Sequence, residues 1–188
     1  MNSFLKKLFL FTYFSISLCY SQDVKNQFDI KKDSLLNSGV ELLIEYKMGS
    51  GDNMITLTAT DCIDFETKYL FWIIKNNCFS QKYSECTFIE KNKLTDCQRL
   101  MAVYNNLDDI KESEVLPVTM ENGEYIEFVH EDSWDYNVYT KGDYFYKSIG
   151  KPTWEMKYSS DKKENVNYEK NHKSKIKLLI DLQKELSN

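Results

Sequence analysis

His130, Glu131 and Asp132 form the densest group of acid, base or metal-binding side chains in the sequence. They follow a predicted strand, where loops that carry functional residues are often found. A zinc peptidase helix needs a second histidine four residues after the first, and Trp134 stands there. The other histidine, His172, lies in a lysine-rich segment and is expected to be exposed. We therefore interpret the cluster as a solvated strand end and predict no metal site.

Asp61, Asp64 and Glu66 provide a second group of carboxylates. Glycoside hydrolysis requires two carboxyl groups at a controlled separation, and calcium loops require alternating oxygen ligands closed by a distant glutamate. Neither pattern is present, and the glycines at 49 and 51 lack the spacing of a nucleophile elbow or a phosphate loop. The sequence predicts no catalytic residue and no cofactor. A small cell-envelope hydrolase that uses carboxylates in a cleft remains the alternative.

Four cysteines follow the first 21 residues, with no CxxC pair or zinc-ribbon repeat: Cys62, Cys78, Cys86 and Cys97. An even number of cysteines in an exported domain predicts disulfides, and four cysteines allow three connectivities. Because the segment 79–85 is able to turn a hairpin, we favour the pairs Cys78–Cys86 and Cys62–Cys97. Free, buried thiols are the alternative.

Four aromatic residues are candidates for a recognition surface: Trp134, Tyr136, Tyr144 and Tyr146. The first two share one face of a predicted strand, and the last two lie on its expected partner strand. Aromatic rings beside acidic residues suit the recognition of a sugar or a protein. The alternative is that the same face is the core side of the sheet.

The hydrophobic patterns predict an α+β domain, mostly antiparallel sheet, with one internal helix and an amphipathic C-terminal helix. Asn122-Gly123 and Lys141-Gly142 indicate hairpin turns. Thr95 is the expected cap of the internal helix. The predicted strands are 40–46, 54–60, 69–74, 86–90, 118–120, 125–129, 136–140 and 144–147; the predicted helices are 96–107 and 175–187, the latter with Ile176, Leu179, Ile180, Leu182 and Leu186 inward.

Residues 1–21 have the three-part pattern of a secretory signal peptide. Lys6 and Lys7 precede eleven uncharged residues, and Cys19 and Ser21 fit the −3 and −1 positions of cleavage before residue 22. Leu18 is large where lipoprotein processing prefers a small residue, so a lipid anchor on Cys19 is not favoured. We predict one exported domain over 22–188, periplasmic or extracellular, in which 22–38 is a loosely ordered leader or a short helix.

Loss of the signal would leave 22 basic residues against 29 acidic ones, a net charge of −7. This charge disfavours nucleic acid and anionic membrane surfaces as partners. A membrane-spanning helix needs about 18 consecutive apolar residues, and no later apolar run is that long. A protein partner of unknown identity is therefore expected, and the oligomeric state is left open.

Four runs, taken together with the signal, resemble small exported bacterial proteins of unassigned function: 69–72, 78–83, 167–169 and 177–180. The resemblance implies an exported single domain and no catalytic or binding residues. The sequence therefore favours a binding or interaction module, such as an inhibitor, an immunity-type protein or an accessory subunit.

Overall fold

The computed structural model describes residues 27–49, 68–83, 92–94, 97–129 and 131–184. Several predictions fall on other residues: the signal peptide, the strands 54–60 and 86–90, Thr95, Leu186, Cys62 and Cys86, the carboxylates Asp61, Asp64 and Glu66, and His130.

The described residues form an α+β fold, as the patterns predict. Eight strands are present: β1 (Leu42–Gly49), β2 (Lys68–Ile74), β3 (Asn77–Tyr83), β4 (Asn92–Lys93), β5 (Val118–Thr119), β6 (Tyr125–Ile126), β7 (Ser133–Thr140) and β8 (Asp143–Gly150). Six of them form an antiparallel sheet in the order β4-β3-β2-β1-β7-β8, and β5 pairs with β6 apart from it. The two hairpins expected at Asn122-Gly123 and Lys141-Gly142 are confirmed.

The described residues also contain six helices: α1 (27–37), α2 (Gln98–Tyr104), α3 (Leu107–Glu112), α4 (Lys151–Glu155), α5 (Tyr168–Lys173) and α6 (Lys177–Lys184). The internal helix predicted over 96–107 is present as α2, and the described residues contain further internal helices that the sequence patterns do not predict. α3, α4 and α5 have five or six residues each, too few for a helical period to stand out in the sequence. The segment 22–38 had two interpretations, a loosely ordered leader or a short helix. The structure has a helix over 27–37, which agrees with the second.

The central strands β1 and β2 are buried on both faces, which explains their continuous apolar runs. On one face, Leu42, Ile44 and Phe71 join a core that includes the buried side chains of α2 and α6. On the other face, Leu43 and Trp72 join a smaller cluster with buried residues of α1. The prediction that Ile176, Leu179, Ile180 and Leu182 point inward is confirmed, since each is at most 1% exposed.

One disulfide joins Cys78 on β3 to Cys97, the residue before α2, with Cα atoms 5.6 Å apart. The favoured pairings of Cys78 with Cys86 and of Cys62 with Cys97 are therefore both wrong. The turn lies earlier than expected, at Lys75 and Asn76, whose φ angles are 49° and 58°. The chain after it is strand β3, paired with β2, rather than a loop. A cross-link over 19 residues stabilises the fold by about 3 kcal/mol in the chain-entropy model.

Asn171 is 1% exposed on α5 and anchors the chain before β5. Its Nδ2 donates to the carbonyl of Leu116 at 2.9 Å, and its Oδ1 accepts from the Leu116 N–H at 2.8 Å. Asn165, 2% exposed, acts similarly: its Oδ1 accepts from the N–H of Thr119 and its Nδ2 donates to the carbonyl of Met156. These two side chains satisfy main-chain groups that no strand reaches.

His172 lies between two rings and is partly buried, so the expectation that it is exposed is wrong. Its ring centroid is 4.0 Å from that of Tyr168 and 4.5 Å from that of Trp154. Its Nδ1 is 3.0 Å from the Tyr168 carbonyl oxygen. This histidine therefore contributes to the packing of α4 against α5.

Candidate functional site: the tyrosine face

The four aromatic candidates lie on opposite faces of the sheet. Trp134 and Tyr136 are 6% and 1% exposed and belong to the main core. Tyr144 and Tyr146 are 52% and 49% exposed. The expectation of a single aromatic surface is therefore wrong for Trp134 and Tyr136, while Tyr144 and Tyr146 lie on a surface.

The register of β7 and β8 explains this separation. Tyr136 is opposite Lys147, whereas Asn137 is opposite Tyr146. Because successive side chains of a strand point to opposite faces, even residues of β7 share a face with odd residues of β8. The sequence pattern predicts the hairpin, and only the register shows which residues share a face.

The face opposite the main core carries a group of side chains that we call the tyrosine face: Asp135, Asn137, Tyr144, Tyr146 and Ser148. Asp135 is its centre. The residue is 8% exposed, and its Oδ1 accepts hydrogen bonds from three hydroxyl groups. The donors are Tyr146 at 2.8 Å, Ser148 at 2.6 Å and Ser133 at 3.3 Å. Hydrogen bonds to a carboxylate are stronger than those between neutral groups, so Asp135 fixes the position of the Tyr146 ring.

Tyr144 is held in a similar way. Its hydroxyl donates to Asn137 Oδ1 at 2.8 Å, and its ring lies 4.9 Å from that of Tyr139, centroid to centroid. Tyr139 is the residue opposite Tyr144 on β7. Both exposed rings therefore keep a defined orientation, with an apolar surface open to solvent and the hydroxyl bonded.

The surroundings of Tyr146 and Tyr139 favour the neutral form of their phenols. Burial raises the pKa of Tyr146; the Ser148 hydroxyl lowers it, and Asp135 raises it further. Burial, then the Glu45 carboxylate, raises the pKa of Tyr139. The Tyr146 hydroxyl therefore remains a donor at neutral pH, which its hydrogen bond to Asp135 requires.

α1 borders the tyrosine face through an ion pair. Lys32 Nζ is 3.4 Å from Glu45 Oε2, and Glu45 is 7% exposed on β1, opposite Asn137. Burial by itself would lower the pKa of Lys32, but Glu45, together with Tyr139 and Asp29, outweighs this effect and the pKa is raised. The pair fixes α1 beside the face and leaves the part over β7 and β8 uncovered by α1.

Sequence reasoning identified Tyr144 and Tyr146 and missed Asp135, Asn137 and Ser148. A signal for them was present. In a hairpin with a two-residue turn, the position numbers of two opposed residues always add up to the same value. This rule places Asp135 opposite Ser148 and Asn137 opposite Tyr146. The cross-strand polar pairs follow once the turn is fixed at Lys141-Gly142.

Of the other residues singled out in the sequence, Glu131, Asp132 and His172 lie in the described part of the chain, and His172 packs against Tyr168 and Trp154. Glu131 lies against Gly150 and accepts a hydrogen bond from Thr153 Oγ1 at 3.0 Å. Within the described ranges, no group of three histidine, cysteine, aspartate or glutamate side chains is placed to hold a metal ion. Among the same residues, no helix is long and apolar enough to cross a membrane.

A cleft of about 670 Å³ opens where β1 begins, β7 ends and α2 gives way to α3. Glu41, Asp108, Asp109 and Lys141 are among the residues that line it. Three carboxylate side chains, those of Glu41, Asp108 and Asp109, therefore line one cleft of the described residues.

Comparison of the chain with family models, with curated proteins and with solved structures gave no match. The candidate site therefore depends on the geometry described above.

Proposed function

We propose that this chain is an exported binding module and that a partner protein contacts its tyrosine face. The observation that carries the proposal is the pair of half-exposed rings whose hydroxyls are fixed by Asp135 and Asn137. Rigid tyrosines provide contact area at a low entropic cost on binding, and aromatic residues dominate interface hot spots.

Export is supported by the pattern of residues 1–21, and the disulfide of Cys78 with Cys97 fits an oxidising compartment. When the full chain is expressed with its signal in a secreting bacterium, we expect the exported protein to begin at Gln22. Intact-mass measurement of that fraction checks this. Retention of Met1, or a lipid adduct on Cys19, would contradict it.

The charge of the chain indicates the kind of partner. The net charge is −5, and it becomes −7 if the signal is removed. A partner whose contact surface is basic and partly apolar would associate faster because of charge complementarity. Desolvation of the two rings would supply much of the affinity.

Replacing Tyr144 and Tyr146 with alanine is expected to weaken partner binding by about 30-fold or more, as for hot-spot residues that contribute at least 2 kcal/mol. The partner is first captured on the immobilised exported protein, identified, and produced in pure form. Its dissociation constant is then measured with each variant by calorimetry, and thermal melts verify that the variants remain folded.

Tyr125→Ala is the matched control, because Tyr125 is 58% exposed and lies on β6, away from the tyrosine face. It should bind as the unmodified protein does. Equal binding by all three variants would refute the proposed site. Turnover in a hydrolase substrate panel, abolished by amide replacement of Glu41, Asp108 and Asp109, would instead favour the carboxylate hydrolase in the 670 Å³ cleft.

A further inference from the structure

Strand β8 ends the six-stranded sheet, and within the described part of the chain nothing pairs with its outer side. It has eight residues, whereas β4 at the opposite end has two. An unpaired edge presents a row of N–H and C=O groups that pair readily with another strand. An edge of this length needs either a protective device or a partner.

The hydrogen bonds show which main-chain groups are available. The Lys151 N–H donates to the Asp132 carbonyl at 2.7 Å, directly after β8. Bonded pairs alternate along an antiparallel ladder, so odd residues of β8 bond to β7 and even residues point outward. The Tyr144 N–H is taken by the Asp143 carboxylate at 2.8 Å. The N–H and C=O groups of Tyr146 and Ser148 have no partner among the described residues.

Within β8 itself, the usual protections against edge pairing are missing. β8 contains no proline, and its register with β7 is continuous, without a bulge. Its two charged side chains are engaged near α3: Lys147 Nζ donates to the carbonyls of Lys111 and Ser113, and Asp143 pairs with Lys111. Neither charge is therefore free to shield the edge.

We propose that two copies of this chain associate through β8, antiparallel about a two-fold axis at Tyr146. Tyr146 would face Tyr146 of the partner subunit, and Tyr144 would face Ser148 of the partner subunit. This register pairs the N–H and C=O of Tyr146 with those of the partner's Tyr146, and the Ser148 N–H with the carbonyl of the partner's Tyr144, while the Tyr144 N–H stays bonded to the Asp143 carboxylate. It also adds an aromatic cross-strand pair, which is favourable.

Charge repulsion disfavours one neighbouring register, and a shorter ladder disfavours the other, although that one would place Asp143 opposite the partner's Lys147. A shift of two residues in one direction places Lys147 opposite Lys147 of the partner subunit, a repulsive pair. A shift in the other direction places Ser148 opposite Gly142 of the partner subunit and shortens the strand-to-strand ladder. In the proposed register, Lys147 lies opposite the partner's Phe145, and Asp143 lies opposite the partner's Ile149. A two-fold interface of this kind is closed, so it yields dimers and not filaments.

Sedimentation of the purified exported protein alone tests the proposal. The weight-average mass should rise about twofold with concentration and then level off, as for a closed dimer. Tyr146→Pro removes the central outward N–H and the hydroxyl bond to Asp135, but it breaks no main-chain bond to β7, so the variant should fold and remain monomeric at every concentration. A monomeric unmodified protein, or a Tyr146→Pro variant that is folded and still dimeric, would overturn the proposal.

Oxidative cross-linking tests the register. Directly opposed residues have Cβ atoms about 4.5–5.5 Å apart, so Tyr146→Cys should give a covalent dimer on mild oxidation. Tyr144→Cys has the same native cysteines but should give no covalent dimer, because the new cysteine would lie opposite Ser148 of the partner subunit. A covalent dimer from Tyr144→Cys and none from Tyr146→Cys would refute the two-fold axis at Tyr146. Partner binding at the tyrosine face is measured separately, so either proposal can fail without the other.

Discussion

Trp134→Ala is expected to destabilise the protein by about 3–5 kcal/mol, the cost of removing a large aromatic side chain from a packed core. Trp134 is 6% exposed and lies opposite Ile149, itself 1% exposed, on the face that packs against the main core. Domains have a total stability of about 5–15 kcal/mol, so this loss removes a large part of it. Urea unfolding followed by circular dichroism should show a lower midpoint with an unchanged slope.

Tyr144→Ala is the control on the neighbouring strand, because its ring is 52% exposed. It should change the free energy of unfolding by about 1 kcal/mol or less, since surface replacements have small effects. The contrast separates the two faces of the hairpin. If Trp134→Ala unfolds at the same urea concentration as the unmodified protein while Tyr144→Ala is strongly destabilised, the assignment of the faces is reversed.

The architecture was predictable where a short sequence pattern decides it. The apolar run 69–74 predicts a buried strand, and β2 has neighbours on both sides. Lys141-Gly142 predicts a hairpin, and Gly142 has the positive φ of 97° that such a turn requires. The inward residues of α6 follow from helical spacing. Each of these features depends on residues close together in the chain.

Features that depend on distant residues were not predictable. The pairing of Cys78 with Cys97 requires α2 to begin beside β3, and cysteine spacing does not contain that distance. Trp134 and Tyr144 look equivalent in sequence, and only the placement of α1, α2 and α6 decides which face of the sheet is covered. His172 looks solvated because its neighbours are lysines, yet Trp154 packs against its ring.

The Asn-rich segment 159–175 shows the same limit. Its composition is typical of a solvated loop, but Asn165 and Asn171 are the most deeply buried polar residues of the described chain, at 2% and 1% exposure. An amide has both a donor and an acceptor, so it can complete two main-chain bonds at once. The partner of Asn171 is 55 residues away, and no local pattern identifies it.

Replacing Asn171 with leucine should therefore be costly even though leucine suits a buried site. It leaves the N–H and the C=O of Leu116 without partners, and each unsatisfied buried group costs about 1–3 kcal/mol. We expect a loss of about 2–5 kcal/mol in urea unfolding. Lys170→Leu, on the exposed side of the same helix, introduces the same side chain and should have little effect. Equal stability of the two variants would show that the amide bonds contribute nothing.

Asn171→Asp distinguishes the hydrogen bonds from simple packing, because it keeps the size of the side chain. A carboxylate can still accept from the Leu116 N–H, but it would repel the Leu116 carbonyl oxygen, 2.9 Å from the amide nitrogen that it replaces. Burial and this repulsion would raise the pKa of the new carboxyl in the folded protein above its value of about 3.9 in the unfolded chain. A raised pKa contributes stability that is present at low pH and is lost as the pH rises through the folded value. The stability deficit of Asn171→Asp relative to the unmodified protein should thus be large at pH 7 and smaller near pH 4, where the protonated carboxyl donates to the carbonyl again. A deficit that does not change with pH would mean that the Leu116 carbonyl is not the partner of this side chain.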